Sequence, residues 1–256
     1  MDQHKSLDFA ERWVRDGIHV CCVPAYFAAL DVDMSYAKAL IENARCRNVR
    51  ITYAHILLRA AALTLAANPD LHKMVCGCSE YRPAEVDIAL SVSGEMAAAP
   101  LLVIEGAERK KLAGIADEIV RRTAEVRAAD RRIGQLLRRW GWLLPLGVLR
   151  RAILRALFRN YRFRRKGAGT FQLSVVPGVD SIVSPVFSSS AALFAGAVRD
   201  RVIALDGMPV VRPVITLTCC ADHRVWDGNA GARFLTGIQK VLESSVLFDE
   251  LAGASA

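Results

Sequence analysis

Near the C-terminus, Asp222-His223-Arg224-Val225-Trp226-Asp227-Gly228 sets one imidazole between acids and ahead of a glycine. A neutral imidazole, which titrates at about 6.5, can take a proton from a thiol, hydroxyl or amine as that group attacks a carbonyl. The chemistry needs the ring held in one orientation at the edge of a site. A lone histidine is ordinarily a satisfied core or surface residue, but here two acids, an arginine and the flanking pattern favour a general base. Cys220, three residues earlier, raises the alternative of a Cys-His nucleophilic pair. Strand residues three apart point to opposite faces, which argues against that pairing.

The elements around the histidine fit such a role. The apolar run Val214-Ile215-Thr216-Leu217-Thr218-Cys219-Cys220 reads as a buried strand, and a helical pattern opens at Asn229 and runs to about Ser244. Upstream, Arg201 to Pro213 reads as a hairpin turning at Asp206-Gly207. Further strands are expected at Val23–Asp33, Val86–Ser93, Ala99–Ile104, Thr170–Val176 and Leu193–Val198. Helical spacing marks a short segment from Asp8, then Met34–Ala44 opened by Ser35, a segment capped by Thr52 running to Asn68, and Lys111–Ala128. The pattern predicts one α/β domain spanning residues 1–256.

Composition narrows the class. With 53% hydrophobic and 23% charged residues over 256 positions, the chain is globular and can bury a large core. No stretch has the roughly 20 apolar residues of a membrane span, and no apolar region follows Met1-Asp2-Gln3-His4-Lys5 as in a secretory signal. The expected location is cytoplasmic, with peripheral membrane attachment open. The seven cysteines lack paired C-x-x-C spacing, so reduced, buried thiols are expected rather than a metal site. A glycine-rich phosphate loop is also missing from the sequence.

The Asp222–Gly228 window resembles the D-H-R-x-x-D-G signature of the acyltransferase catalytic domain of 2-oxo acid dehydrogenase complexes. Gly169-Thr170-Phe171-Gln172-Leu173-Ser174 is similar to that family's G-T-F-T-I-S strand, and the order of elements over roughly residues 20–245 agrees. The resemblance implies a chloramphenicol acetyltransferase-like fold: a two-layer α/β sandwich with a central mixed sheet, assembled as trimers with active sites between subunits. It implies His223 as base, Ser174 as hydroxyl donor to the oxyanion, and Asp227 as organiser of the site through an arginine, with Arg12 and Arg15 as candidates. It implies coenzyme A or acyl-CoA as co-substrate, no metal, and a thiol, hydroxyl or amine acceptor on a small molecule or carrier. Three departures stand out: about twenty residues precede the fold, so no lipoyl arm is expected on this chain; Pro24-Ala25-Tyr26-Phe27 replaces the family's P-H-x-T; and an insertion occupies about 129–166.

That insertion holds most of the positive charge. Residues 121–166 contain fifteen Lys/Arg against Glu125 and Asp130, while the whole chain carries +8. Within 133–158, apolar residues interleave with arginines, and Pro145 and Gly147 predict a break into two amphipathic helices. These helices are expected to lie over the core or a subunit interface with arginines in solvent. Two further readings are an anionic membrane surface and an acidic partner, either a carrier protein or the phosphates of coenzyme A. Nucleic acid is not expected, because no recognition module accompanies the charge. The rival to an enzyme is a non-catalytic trimeric scaffold that uses these helices to organise partners or sit on a membrane.

Overall fold

The computed structural model describes residues 8–94, 98–140, 146–184 and 188–252. The chain opens with α1 (Phe9–Val20), capped reciprocally: Asp8 accepts from the Glu11 amide at 2.8 Å while Glu11 accepts from the Asp8 amide at 2.8 Å. β1 (Ala25–Asp33) leads into α2 (Ser35–Cys46), where the Asp33 carboxylate, rather than Ser35, receives the first free amide at 2.8 Å. Thr52 and His55 cap α3 (Tyr53–Ala67). A small hairpin, β2 (Met74–Cys76) and β3 (Ser79–Tyr81), lies outside the elements read from sequence. Then come β4 (Ile88–Ser91), β5 (Leu101–Ile104), α4 (Leu112–Trp140), α5 (Gly147–Arg159) and α6 (Tyr161–Ala168). β6 (Phe171–Val175), β7 (Ala191–Ala195), β8 (Arg199–Leu205), β9 (Met208–Asp222), α7 (Gly228–Leu242) and α8 (Val246–Ala252) complete it.

The main sheet has the order β1-β9-β7-β6-β4-β5, with β8 paired to the first half of β9. β6 runs parallel to both β4 and β7, while the other pairs are antiparallel, so the sheet is mixed. β9 is its spine. The hairpin and the buried run read separately from sequence are one 15-residue strand. Alternation assigns its faces: Ile215, Leu217, Cys219 and Ala221 enter the main core with Phe171, Trp226 and Phe234, while Cys220 joins Ala192 and Phe194 on the opposite face. The expected mixed sheet with helices packed on it is present.

The basic segment differs from its predicted form. The 111–128 helix does not stop there but continues to Trp140, so the basic segment begins inside α4, and two more helices follow rather than two in all. Residues 141–145, including Pro145, lie outside the described residues. Its arginines are not all in solvent. Arg150 is buried and holds buried Asp16 at 2.7 Å, with its guanidinium 5.4 Å from the Phe9 ring centroid, which docks α5 on α1. Arg164 is buried and donates to the backbone oxygens of Val75, Ser188 and Ser189. Sequence periodicity marks which side of a helix is apolar, but it does not reveal that a buried acid on another helix will recruit one of many arginines. The seven cysteines are free, and only Cys76, Cys219 and Cys220 are buried, so burial of most of them does not hold.

The start of β6 is locked by a buried network. Gly169 has φ 65°, and a Cβ there would lie 2.4 Å from the Asp87 carbonyl oxygen, so this position excludes any side chain. The Asp87 amide donates to Thr170 Oγ1 at 3.0 Å, and His72 Nε2 contacts the same hydroxyl at 2.8 Å. Burial, first among the causes, pushes the His72 pKa from 6.5 down to about 4, so the folded chain favours the neutral ring. The stabilising effect is complete above the unfolded value and is lost as pH falls from 6.5 towards 4. We expect urea titrations to show His72 contributing about 3 kcal/mol of the stability lost across that window. His72→Gln should flatten the slope there; an unchanged slope would place the acid sensitivity elsewhere.

Candidate active site

His223 is the first residue beyond β9, and it is exposed. Its loop is fixed on every side. The His223 amide donates to the Pro24 oxygen at 2.8 Å, and the Asp222 amide to the Ser190 oxygen at 2.9 Å. Asp222, buried, receives Arg224 Nε at 2.9 Å and Nη2 at 2.7 Å, together with the Arg224 amide at 3.1 Å. Trp226 donates from its indole nitrogen to the Leu71 oxygen at 2.7 Å, with its ring 5.3 Å from that of Phe234. The signature's first acid and its arginine thus pair with each other, and the imidazole is carried outward on an anchored turn. Its ring nitrogens make no hydrogen bond among the described residues, so a proton acceptor is left available.

Tyr26 is the residue that the sequence reading did not single out. Its ring centroid lies 5.1 Å from that of His223, and its hydroxyl donates to the Asp227 carbonyl oxygen at 2.7 Å. The contact depends on Gly231: a Cβ there would lie 2.4 Å from the Tyr26 hydroxyl. The only signal in the sequence was that Tyr26 sits in the segment departing from P-H-x-T. Asp227 itself accepts the Ala230 amide at 2.7 Å as the N-cap of α7. Neither Arg12 nor Arg15 pairs with Asp227 within the chain; among the described residues its partners are backbone groups and Tyr26.

Ser174 stands half-buried on β6, in the wall of a cavity of about 600 Å³ on the sheet face opposite the main core. Its hydroxyl makes no hydrogen bond among the described residues. One chain does not bring it to His223. Ser174 is in register with Phe194 on β7, which pairs with Thr218 on β9, and His223 lies five residues further along. At about 3.3 Å per residue and about 4.8 Å per strand spacing, the two Cα atoms are roughly 19 Å apart. Neither side chain can span that distance. Within a single copy the imidazole thus lies at one end of the sheet and the Ser174 hydroxyl nearer the other.

Residues 176–248 match the family described as 2-oxoacid dehydrogenases acyltransferase (catalytic domain), and this segment contains the His223 turn. The chain resembles these acyltransferases in sequence and in fold. It is 22% identical over 227 residues to the dihydrolipoyllysine-residue acetyltransferase component of the pyruvate dehydrogenase complex of Zymomonas mobilis, covering 86% of this chain and 45% of that protein. It thus spans less than half the length of that curated relative. A probable dihydrolipoamide acetyltransferase from Listeria monocytogenes superposes with a TM-score of 0.73 at 18% identity, covering 94% of both chains. The dihydrolipoamide acetyltransferase of Azotobacter vinelandii superposes with a TM-score of 0.73 at 17% identity, covering 97% of this chain and 94% of that one. The acyltransferase fold accounts for the mixed sheet and the long spine strand.

Proposed function

We propose that this chain is a coenzyme-A-dependent acyltransferase whose sites form between copies, with His223 of one copy facing Ser174 of the next. The observation that carries the reading is the outward imidazole on an anchored strand-end turn, in an acyltransferase fold. The Azotobacter vinelandii protein supports the residue roles, because its catalytic mechanism was investigated through a serine, a histidine and an asparagine four positions after that histidine. In this chain Asp227 stands four positions after His223.

In the reaction, His223 takes the proton from an acceptor thiol, hydroxyl or amine as its heteroatom attacks the thioester carbonyl carbon. The carbonyl π electrons move to oxygen, and the Ser174 hydroxyl donates to that oxyanion. Collapse restores the carbonyl and breaks the carbon–sulfur bond. The imidazolium then returns the proton to the departing coenzyme A sulfur. Asp227 contributes by position: its side chain caps α7 and its carbonyl oxygen holds Tyr26, whose ring lies beside the imidazole. A homotrimer or larger trimer-based assembly supplies the facing halves, as a closed ring with one site per interface.

The test is incubation of the purified protein with acetyl-CoA and longer acyl-CoA thioesters, with dihydrolipoamide and amine or hydroxyl acceptors. Free coenzyme A and acylated acceptor are quantified by mass spectrometry. Acceptor-dependent release of coenzyme A is expected; failure with every thioester and acceptor class would overturn the reading.

A further inference from the structure

A second cavity, of about 270 Å³, opens between the end of α1, the β2–β3 hairpin and α5, beside Arg224. It is lined by Arg155, Arg159, Arg164 and Arg224, with no carboxylate in its wall. Only Arg224 is neutralised, by Asp222. Arg164 is 8% exposed and is met by carbonyl oxygens rather than by an acid. Arg155 and Arg159 make no ion pair among the described residues. A buried guanidinium without a counter-ion is costly, and two unpaired guanidiniums beside it make the cavity a place where an anion gains strongly.

The basic cavity is not isolated. Cys21, Phe158 and Ser188 line both it and the larger cavity that holds Ser174. The larger one is walled mainly by apolar side chains, among them Val14, Ile18, Leu101 and Phe194. Charge at one end and apolar volume at the other, meeting at shared residues, fit one kind of molecule. We infer that the two cavities form a single binding site for an anionic amphiphile, an apolar chain ending in a carboxylate or phosphate. The head sits among Arg155, Arg159 and Arg164, and the chain runs past Phe158 towards Ser174. Its size falls within the range of about 300–1,000 Å³ typical of small-molecule sites. Treating this amphiphile as acyl donor or acceptor rests on the acyl-transfer reading; its binding does not.

Calorimetric titration of the intact protein with decanoate, decyl phosphate, decanol, acetate and inorganic phosphate tests the site. At least one decyl anion should bind about tenfold or more tightly than decanol. It should also bind about a hundredfold or more tightly than acetate or phosphate, through burial of its methylenes. The ranking of the two decyl anions identifies the head as carboxylate or phosphate. Arg155→Ala/Arg159→Ala, at exposed positions, should erase the preference for decyl anions over decanol while leaving the melting temperature unchanged. Bound ligand should also shield exposed Cys22, in the basic wall, from alkylation, with exposed Cys46 as internal control. Decanol binding as tightly as the anions, or an unchanged preference in the double variant, would overturn the inference. His223→Ala should bind decanoate like the unaltered protein, so loss of turnover and loss of this site are told apart.

Discussion

His223→Ala is expected to reduce acyl transfer by about two to four orders of magnitude, the usual contribution of a positioned general base. The fold should change little, because the ring is exposed with the Tyr26 ring as its aromatic contact among the described residues, and the turn's hydrogen bond from this residue is made by its backbone. Asp222, Arg224 and Trp226 keep their own partners, so melting temperature and oligomeric state should match those of the unaltered chain. Ser174→Ala should reduce transfer by about a hundredfold to a thousandfold, the effect of removing one oxyanion donor. The loss should fall on kcat more than on KM, because the oxyanion exists only in the transition state. Transfer by His223→Ala at an undiminished rate would remove the imidazole from the mechanism.

How legible the site was depends on the range of the interactions that build it. His223 stood out because a strand, a turn and a helix cap lie within a few residues of one another, and local patterning reports local structure. The capping bond of Asp227 is local in the same way, since its partner, the Ala230 amide, lies only three positions on. Tyr26 was not singled out because its partners, Asp227 and Gly231, are some two hundred positions away, brought close by the β1–β9 pairing. The basic segment shows the same limit. Its amphipathic helices were visible in the spacing, but the docking of α5 on α1 depends on Asp16 burying itself against Arg150. Fifteen Lys/Arg in one segment give no hint of which one will do so. Gly169 lies between these cases: its motif resemblance is visible in the sequence, while its physical cause, the Asp87 carbonyl oxygen where a Cβ would stand, needs three dimensions.

Mixing two inactive variants is expected to restore activity, and that result separates a site shared between copies from any site within one chain. Consider a trimer assembled at random from equal amounts of His223→Ala and Ser174→Ala subunits. Each interface takes its histidine from one copy and its serine from the next. It is intact when the first copy is Ser174→Ala and the second is His223→Ala, which occurs at about one interface in four. Co-expressed variants should therefore recover about a quarter of the unaltered rate. Each homotrimer alone retains at most its own residual transfer. The roughly 19 Å between the two Cα atoms along the sheet makes this outcome a geometric requirement of the mechanism. If both groups acted from one chain, every site in the mixture would lack one of them, and co-expression would recover nothing beyond the two residual rates. Recovery should also appear only when subunits are combined before assembly, since preformed homotrimers mixed afterwards cannot exchange halves unless they dissociate. A mixture that remains inactive despite heterotrimers verified by native mass spectrometry would rule out the shared site.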